Sequence, residues 1–261
     1  MRILVVNPNI SESVTELIHA EALRSVSPGT SLTMATAQFG VAYIETRFEA
    51  LVGGYATACV AAEHQGRFDG LVVAAFGDPG LAGLKELFNV PVVGMTEAAL
   101  ASACLLGQRF SIIAISHRIE AWYRECVAAS GLTARLASVR SLQQPLRDIG
   151  SVQEDHAARL EEMSLQAVRE DGADVIIVAG APLAGLARTL RDRIPVPVVD
   201  GVSSAIRHCE SLVALAPTGA AEGSFARPPR KPNRGLPPTL AAMLDQDEVV
   251  ACSRTWSGRL L

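Results

Sequence analysis

Apolar and polar positions alternate along this chain in two periods. Continuous apolar runs recur at 2–6, 31–36, 70–75, 91–94, 110–115, 134–139, 174–179 and 196–200. Runs of this length, several of them rich in Val and Ile, predict strands of parallel sheets covered on both faces. Between them lie segments with apolar residues three and four apart, at 13–25, 45–64, 80–88, 97–107, 119–130, 151–171, 184–193 and 201–213. That spacing predicts amphipathic helices. Strict alternation of the two kinds predicts parallel sheets covered by helices. Ser13, Thr96 and Ser151 read as helix N-caps, and Glu16 and Glu154 follow two of them at capping-box spacing. Gly66, Gly107, Gly131 and Gly172 read as helix ends.

The chain also repeats itself. Residues 71–106 and 175–213 each carry an apolar run, a Gly/Pro-rich turn, a Leu-Ala-Gly-Leu tetrapeptide, a helical segment, a Pro-led strand and a further helix. The tetrapeptides are Leu81–Leu84 and Leu183–Leu186. Such a repeat predicts two similar halves. The fold class is therefore α/β, with two pseudo-symmetric doubly wound parallel-sheet lobes and a ligand crevice between them. Residues 1–95 with 201–215 are expected to form the first lobe and 96–200 the second. Residues 216–261 form a Pro-rich C-terminal arm with a basic cluster at Arg227–Arg234. It reads as an arm lying on the body or on a neighbouring subunit.

Composition narrows the function classes. The chain has 261 residues, 49% hydrophobic and 19% charged, enough for a sizeable core. A net charge of −4 argues against a nucleic-acid partner. No apolar run approaches the roughly 18 residues of a membrane-spanning helix, so no membrane partner is expected. The opening MRILVVNPN reads as a first strand, not a signal peptide. Cys59, Cys104, Cys126, Cys209 and Cys252 form no CxxC pair, and His19, His64, His156 and His208 fall inside helices. No metal site or disulfide framework is expected. A cytoplasmic protein with reduced thiols is the simplest expectation, and the arm points to a homo-oligomer.

In open parallel sheets, ligands bind beyond the carboxyl ends of strands, which directs attention to the loops there. After the first strand come Asn7, Asn9 and Ser13, amide and hydroxyl groups that can seat a carboxylate or an imide. Tyr43 and Glu45 follow the second strand. Ala75, Phe76, Gly77 and Asp78 follow the third, in a turn tight enough for close backbone approach to a ligand. Thr96 follows the fourth and His117 the fifth, with Trp122 and Tyr123 just beyond. Gly180, Ala181 and Pro182 follow the seventh, with no ionisable group. Asp78 is either a base or an Asx-turn stabiliser. Glu45 is either a base or a helix-start acid. His117 has the acid/base range for neutral pH, or is an ordinary loop residue. Thr96 either donates to the ligand or caps its helix.

Taken together, ILVVNPNISESVT, AAFGDPGL, VPVVGMTEA and VIIVAGAPLAGL followed by VPVVDGV resemble the aspartate/glutamate/hydantoin racemase family. The resemblance is strongest to the hydantoin and allantoin racemase branch and covers about residues 2–215. It implies a cofactor-independent isomerase acting on a small hydantoin-like or carboxylate substrate. In that family two cysteines at equivalent strand ends exchange a proton with a carbon beside a carbonyl, from opposite faces. At or near those positions this chain has Ala75 and Gly180, which carry no proton. The resemblance then implies that a non-cysteine group, Asp78, Glu45 or His117, moves the proton. Asn7, Asn9, Ser13, Tyr43, Phe76, Gly77, Thr96, Ala181 and Pro182 would bind the substrate. Two other readings stand beside this one. The first is a catalytically silent small-molecule-binding homologue or an engineered inactive variant. The second is a decarboxylase, lyase or hydrolase, for which one proton donor suffices.

Overall fold

The computed structural model describes residues 1–143, 149–215, 219–220 and 222–245. All eight expected strands are present. Strands β1 (Arg2–Asn7), β2 (Ser31–Thr36), β3 (Gly70–Val73) and β4 (Val92–Gly94) form one parallel sheet in the order β2-β1-β3-β4. Strands β5 (Phe110–Ala114), β6 (Leu136–Ser141), β7 (Val175–Val178) and β8 (Val198–Asp200) form a second in the order β6-β5-β7-β8. The second order is the first with four added to each strand number, so the internal repeat is real at the level of topology.

The helices are α1 (Glu12–Ser25), α2 (Arg47–Glu63), α3 (Leu81–Leu87), α4 (Met95–Leu106), α5 (Glu120–Ala129), α6 (Val152–Asp171), α7 (Leu186–Leu190), α8 (Gly201–Leu215) and α9 (Pro238–Asp245). Along β1, Ile3 and Val5 join one apolar cluster while Leu4 and Val6 join the other. Both faces of the sheet are thus covered, which is why β1 lacks polar alternation. Two helices cross between the sheets. Helix α4 leaves β4 but packs on β7 and β8, and α8 leaves β8 but packs on β3 and β4. Of the C-terminal arm, α9 lies against α2 and buries Leu240 and Met243, a helix the Pro-rich composition did not announce. Cys252 and residues 246–261 lie outside the described residues.

Three local expectations need correction. The N-cap of α1 is Ser11, whose Oγ accepts from Val14 N, and Ser13 lies inside the helix. The N-cap of α4 is Gly94, so Thr96 sits in the first turn. Ser151 is the N-cap of α6, but its hydroxyl donates to Asp155 instead of capping a backbone amide. The repeated Leu-Ala-Gly-Leu is also out of register. Gly70 and Val175, the first residues of β3 and β7, are 105 positions apart, whereas the tetrapeptides at Leu81 and Leu183 are 102 apart. Ala75–Gly80 therefore matches Gly180–Gly185, and each turn ends on a left-handed glycine, Gly80 at φ 73° and Gly185 at φ 83°. Only glycine adopts that conformation without steric cost.

Candidate active site

The carboxyl ends of the two sheets face each other. Between them is a small cavity of about 40 Å³. Ala75 and Phe76 from the turn after β3 line it, and so do Gly180, Ala181 and Pro182 from the matching turn after β7. The β1–α1 loop adds Asn9, and the β2–α2 loop adds Tyr43, Ile44 and Glu45. Ile115, Ile119, Tyr123 and Ile149 complete the wall.

The β1–α1 loop is organised by its own amides. Asn7 is fully buried and its Nδ2 donates to Asn9 Oδ1, Ser11 O and Thr15 Oγ1 at 3.0–3.1 Å. Asn9 Oδ1 also accepts from Ser11 N at 2.9 Å. These bonds fix which end of the Asn9 amide is oxygen. Its Nδ2 has no partner among the described residues, so Asn9 presents two free N–H donors at the cavity. Asn7 holds the loop and does not line the cavity. Ser13 is solvent-exposed, beside Ser11 on the outer surface of α1.

Helix α2 is started by a capping box. Thr46 Oγ1 accepts from Glu49 N, and Glu49 returns to Thr46 N and Glu45 N. Since Glu49 does the helix-start work, the Glu45 carboxylate is left to the cavity. Burial pushes the Tyr43 hydroxyl above its usual range, with further upward push from Glu45 and Glu49. Tyr123 is raised as well, by burial first and then by the acidic groups around it. Both phenols therefore stay protonated at neutral pH.

Asp78 belongs to the scaffold. It sits at φ 48° and its two oxygens accept from Thr96 N at 2.7 Å and Glu97 N at 2.9 Å, the free amides at the start of α4. Gly94 makes room for it, because a Cβ there would lie 2.3 Å from the Asp78 carboxyl carbon. Burial pushes the Asp78 carboxyl up to about 7, against the downward pull of the two amides. Thr96 is also structural, since its hydroxyl accepts from Gly77 N. Gly77 itself is pressed against Trp122 of α5 and turned away from the cavity lining. His117 is exposed in the turn His117–Ile119 and does not line the cavity. Of the expected site residues, Asn9, Tyr43, Glu45, Phe76, Ala75, Gly180, Ala181 and Pro182 come together, while Asn7, Ser13, Gly77, Asp78, Thr96 and His117 do not.

The apolar wall was not foreseen. Ile115 follows β5 and was within reach of the strand-end rule, but isoleucines carry no chemical signature in a sequence. Phe76, in the turn after β3, and Tyr123, on α5, both line the cavity, with ring centroids 4.7 Å apart. On the surface nearby, Arg47 Nε of α2 donates to Glu125 of α5 at 2.8 Å. No thiol reaches the cavity among the described residues. Cys59 and Cys209 are buried elsewhere, Cys104 lies on α4, and Cys126 sits behind the Gly77 carbonyl at 4.0 Å. Burial, then Asp78 and Glu125, push the Cys126 thiol up to about 12. Among the described residues no group of three His, Cys, Asp or Glu could hold a metal, and no helix is long and apolar enough to cross a membrane.

Two facing parallel-sheet lobes with a small cavity between matched strand-end turns define a class of α/β enzymes that grip one small molecule from two sides. The chain belongs to the Asp/Glu/hydantoin racemase family, which matches residues 3–209. It is 39% identical to a hydantoin racemase from Paenarthrobacter aurescens over 238 residues, covering 88% of this chain and 99% of that protein. An allantoin racemase structure from Klebsiella pneumoniae is similar at TM-score 0.87 and 32% identity, covering 92% of this chain and 98% of the other. A second, from Pseudomonas fluorescens, is similar at TM-score 0.84 and 36% identity, covering 90% and 100%.

Proposed function

We propose that this chain binds a small hydantoin-like or carboxylate compound in the cavity and moves a proton at one face of it, with Glu45 as base. The observation that carries this reading is the chemistry of the cavity wall. On the resemblance, Ala75 and Gly180 stand at or near the strand-end positions from which thiols act in the family, and neither side chain holds a proton. Among the described residues Glu45 is the one carboxylate lining the cavity, with Tyr43 also in the wall. The turn from Gly180 to Pro182, with Ile115 and Ile149, offers nothing that titrates.

Inversion of a carbon centre needs a donor on the face opposite the base. A lone carboxylate instead removes a proton and returns it to the same face. The same arrangement suits a decarboxylation or bond cleavage that leaves a carbanion needing one proton. Asn9 Nδ2 would donate to the carbonyl that stabilises the developing negative charge. The isoleucine wall keeps water out, which strengthens that interaction.

The test is incubation with a single enantiomer of a 5-substituted hydantoin, or of allantoin, in deuterated water. Solvent deuterium entering the carbon beside the carbonyl, with optical rotation kept, is expected from the native chain and lost in Glu45→Gln. Loss of rotation at the rate of deuterium entry would overturn the one-face reading. A second reading, of a silent binding homologue, is motivated by the absence of a titrating side chain at Ala75 and Gly180. It predicts ligand-induced stabilisation with neither exchange nor a change in mass.

A further inference from the structure

A second concavity lies away from the cavity and shares no lining residue with it. It is an open cleft of about 340 Å³ between α1, α4, α7 and α8, within the size range of small-molecule sites. Four guanidinium groups converge on it from three parts of the chain: Arg24 on α1, Arg188 and Arg191 at α7, and Arg207 on α8. The carboxylates in the lining, Glu21 and Asp200, are already engaged. Glu21 is held by Arg24, Arg188 and Ser25, and Asp200 accepts from Ser203 N and Oγ at 2.8 Å. Glu210, at the rim, takes Arg207 at 3.3 Å. One positive charge is therefore left over, and Arg191 has no partner among the described residues.

The second observation is a hydroxyl. Ser204 is 8% exposed, so nine-tenths buried, and it lines this cleft. Its Oγ has no partner among the described residues, and it is not sealed from solvent. A buried hydroxyl without a bond is uncommon, because a serine on a helix ordinarily bonds back to the preceding turn. Here it lines the same cleft as the surplus arginine.

We propose that this cleft binds a small metabolite carrying a phosphate group, with Arg191 and Ser204 as direct donors to the phosphate oxygens and Arg207 beside them. Arginine suits the task because its planar fork meets two phosphate oxygens at once. The cleft volume leaves space for an organic part beyond the anion. The cleft is walled by α1, which flanks the first sheet, and by α7 and β8 of the second half, so a bound anion would join the two halves. None of this depends on the chemistry assigned to the cavity.

The test is thermal unfolding and calorimetric titration of the full chain with inorganic phosphate and with glycerol 3-phosphate, against sodium chloride of matched ionic strength. Saturable stabilisation is expected from both phosphates, with the ester at least as tight. Arg191→Ala should weaken binding about tenfold, in line with loss of a charge-assisted bond. Ser204→Ala should weaken it several-fold, while Arg67→Ala, a surface charge elsewhere, should leave it unchanged. Each effect is read as a ligand-induced shift, so a variant that is merely less stable does not mimic it. Stabilisation no greater than chloride gives would overturn the proposal, as would full phosphate binding in the Arg191→Ala, Ser204→Ala double variant. Binding of inorganic phosphate that the ester cannot match would mark an adventitious ion only. A phosphate-independent change of molecular mass in Arg191→Glu would make the cleft a contact between copies of this chain, and overturn the proposal too.

Discussion

Glu21 is a fully buried carboxylate on the first-half helix α1, and its strongest partner, Arg188, is on the second-half helix α7. Arg188 reaches it through Nε at 2.9 Å and Nη2 at 2.8 Å, Ser25 Oγ donates at 2.9 Å and Arg24 Nε at 3.0 Å. The arrangement needs Gly185, since a Cβ there would lie 2.7 Å from Arg24 Nη2 and 3.1 Å from Glu21 Oε2. Removing one partner of a buried ion pair costs about 3–5 kcal/mol when the other is stranded. In Glu21→Gln the stranded groups are only part-buried, with Arg188 39% and Arg24 54% exposed, so water recovers some of that loss. We expect a loss of about 2–3 kcal/mol at pH 7, or roughly 5–10 °C in melting temperature for a chain of this size.

The pH dependence gives a second handle. Burial alone would raise the Glu21 carboxyl, but the hydrogen bonds from Arg188, Ser25 and Arg24 outweigh it and hold the group below its ordinary range. A lowered carboxylate pKa stabilises the fold above the unfolded value of 4.5, and that contribution fades as pH falls through the lower folded value. Urea unfolding of the native chain and Glu21→Gln should therefore show a constant gap from pH 7 to about 5, closing on further acidification. A gap below about 0.5 kcal/mol at pH 7, the scale of an exposed ion pair, would refute the argument. So would a gap that widens in acid.

Three further outcomes follow from the turn after β3 and its partner. Gly77→Ala places a Cβ 2.2 Å from the Trp122 ring at a backbone φ of 104°, so a loss of about 3 kcal/mol is expected in urea unfolding, and near-native stability would contradict the packing. Asp78 binds a proton more readily when folded, at about 7, than when unfolded, at 3.8, so the native chain should lose stability as pH rises between these values. Asp78→Asn should flatten that slope, and parallel profiles would show the carboxyl is not its source. Ala75→Cys should cost under about 1 kcal/mol, whereas Gly180→Cys should cost about 1–3 kcal/mol because its backbone sits at φ 112°; equal costs would refute the conformational difference.

Much of the fold was legible because the inner strands are buried on both faces. Short Val/Ile-rich runs such as those at 2–6, 70–75 and 174–179 do not read as amphipathic helices, and their alternation with helical periods leaves few arrangements other than parallel sheets. The helix starts were less legible. Serine and threonine cluster at 11, 13 and 15, and any of them fits a capping position until the bond from Val14 N to Ser11 Oγ selects one. Asp78 shows the same limit at longer range. Its sequence context, Gly-Asp-Pro-Gly, says turn, but its work is done at amides 18 and 19 positions away. The apolar wall of Ile44, Ile115, Ile119 and Ile149 was invisible because those residues differ from core residues only in facing a gap.

The Gly180 backbone bears on what each of the two matched strand ends could carry. The matched turns hold Ala75 and Gly180 against the same cavity, yet the two positions are not equivalent in conformation. Ala75 is in a backbone region open to any residue, so a thiol there differs from the present side chain by one sulfur atom. Gly180, at φ 112° and ψ 142°, is in a region that L-residues rarely enter. Space is not the obstacle, because a Cβ at Gly180 would meet nothing nearer than Pro182 Cδ at 3.6 Å. The turn itself has taken a path that excludes a side chain at low cost. The glycine conformation at 180 thus sets a backbone cost on any side chain there that Ala75 does not carry. That asymmetry makes position 75 the easier of the two strand ends for a single substitution to arm with a side chain that titrates.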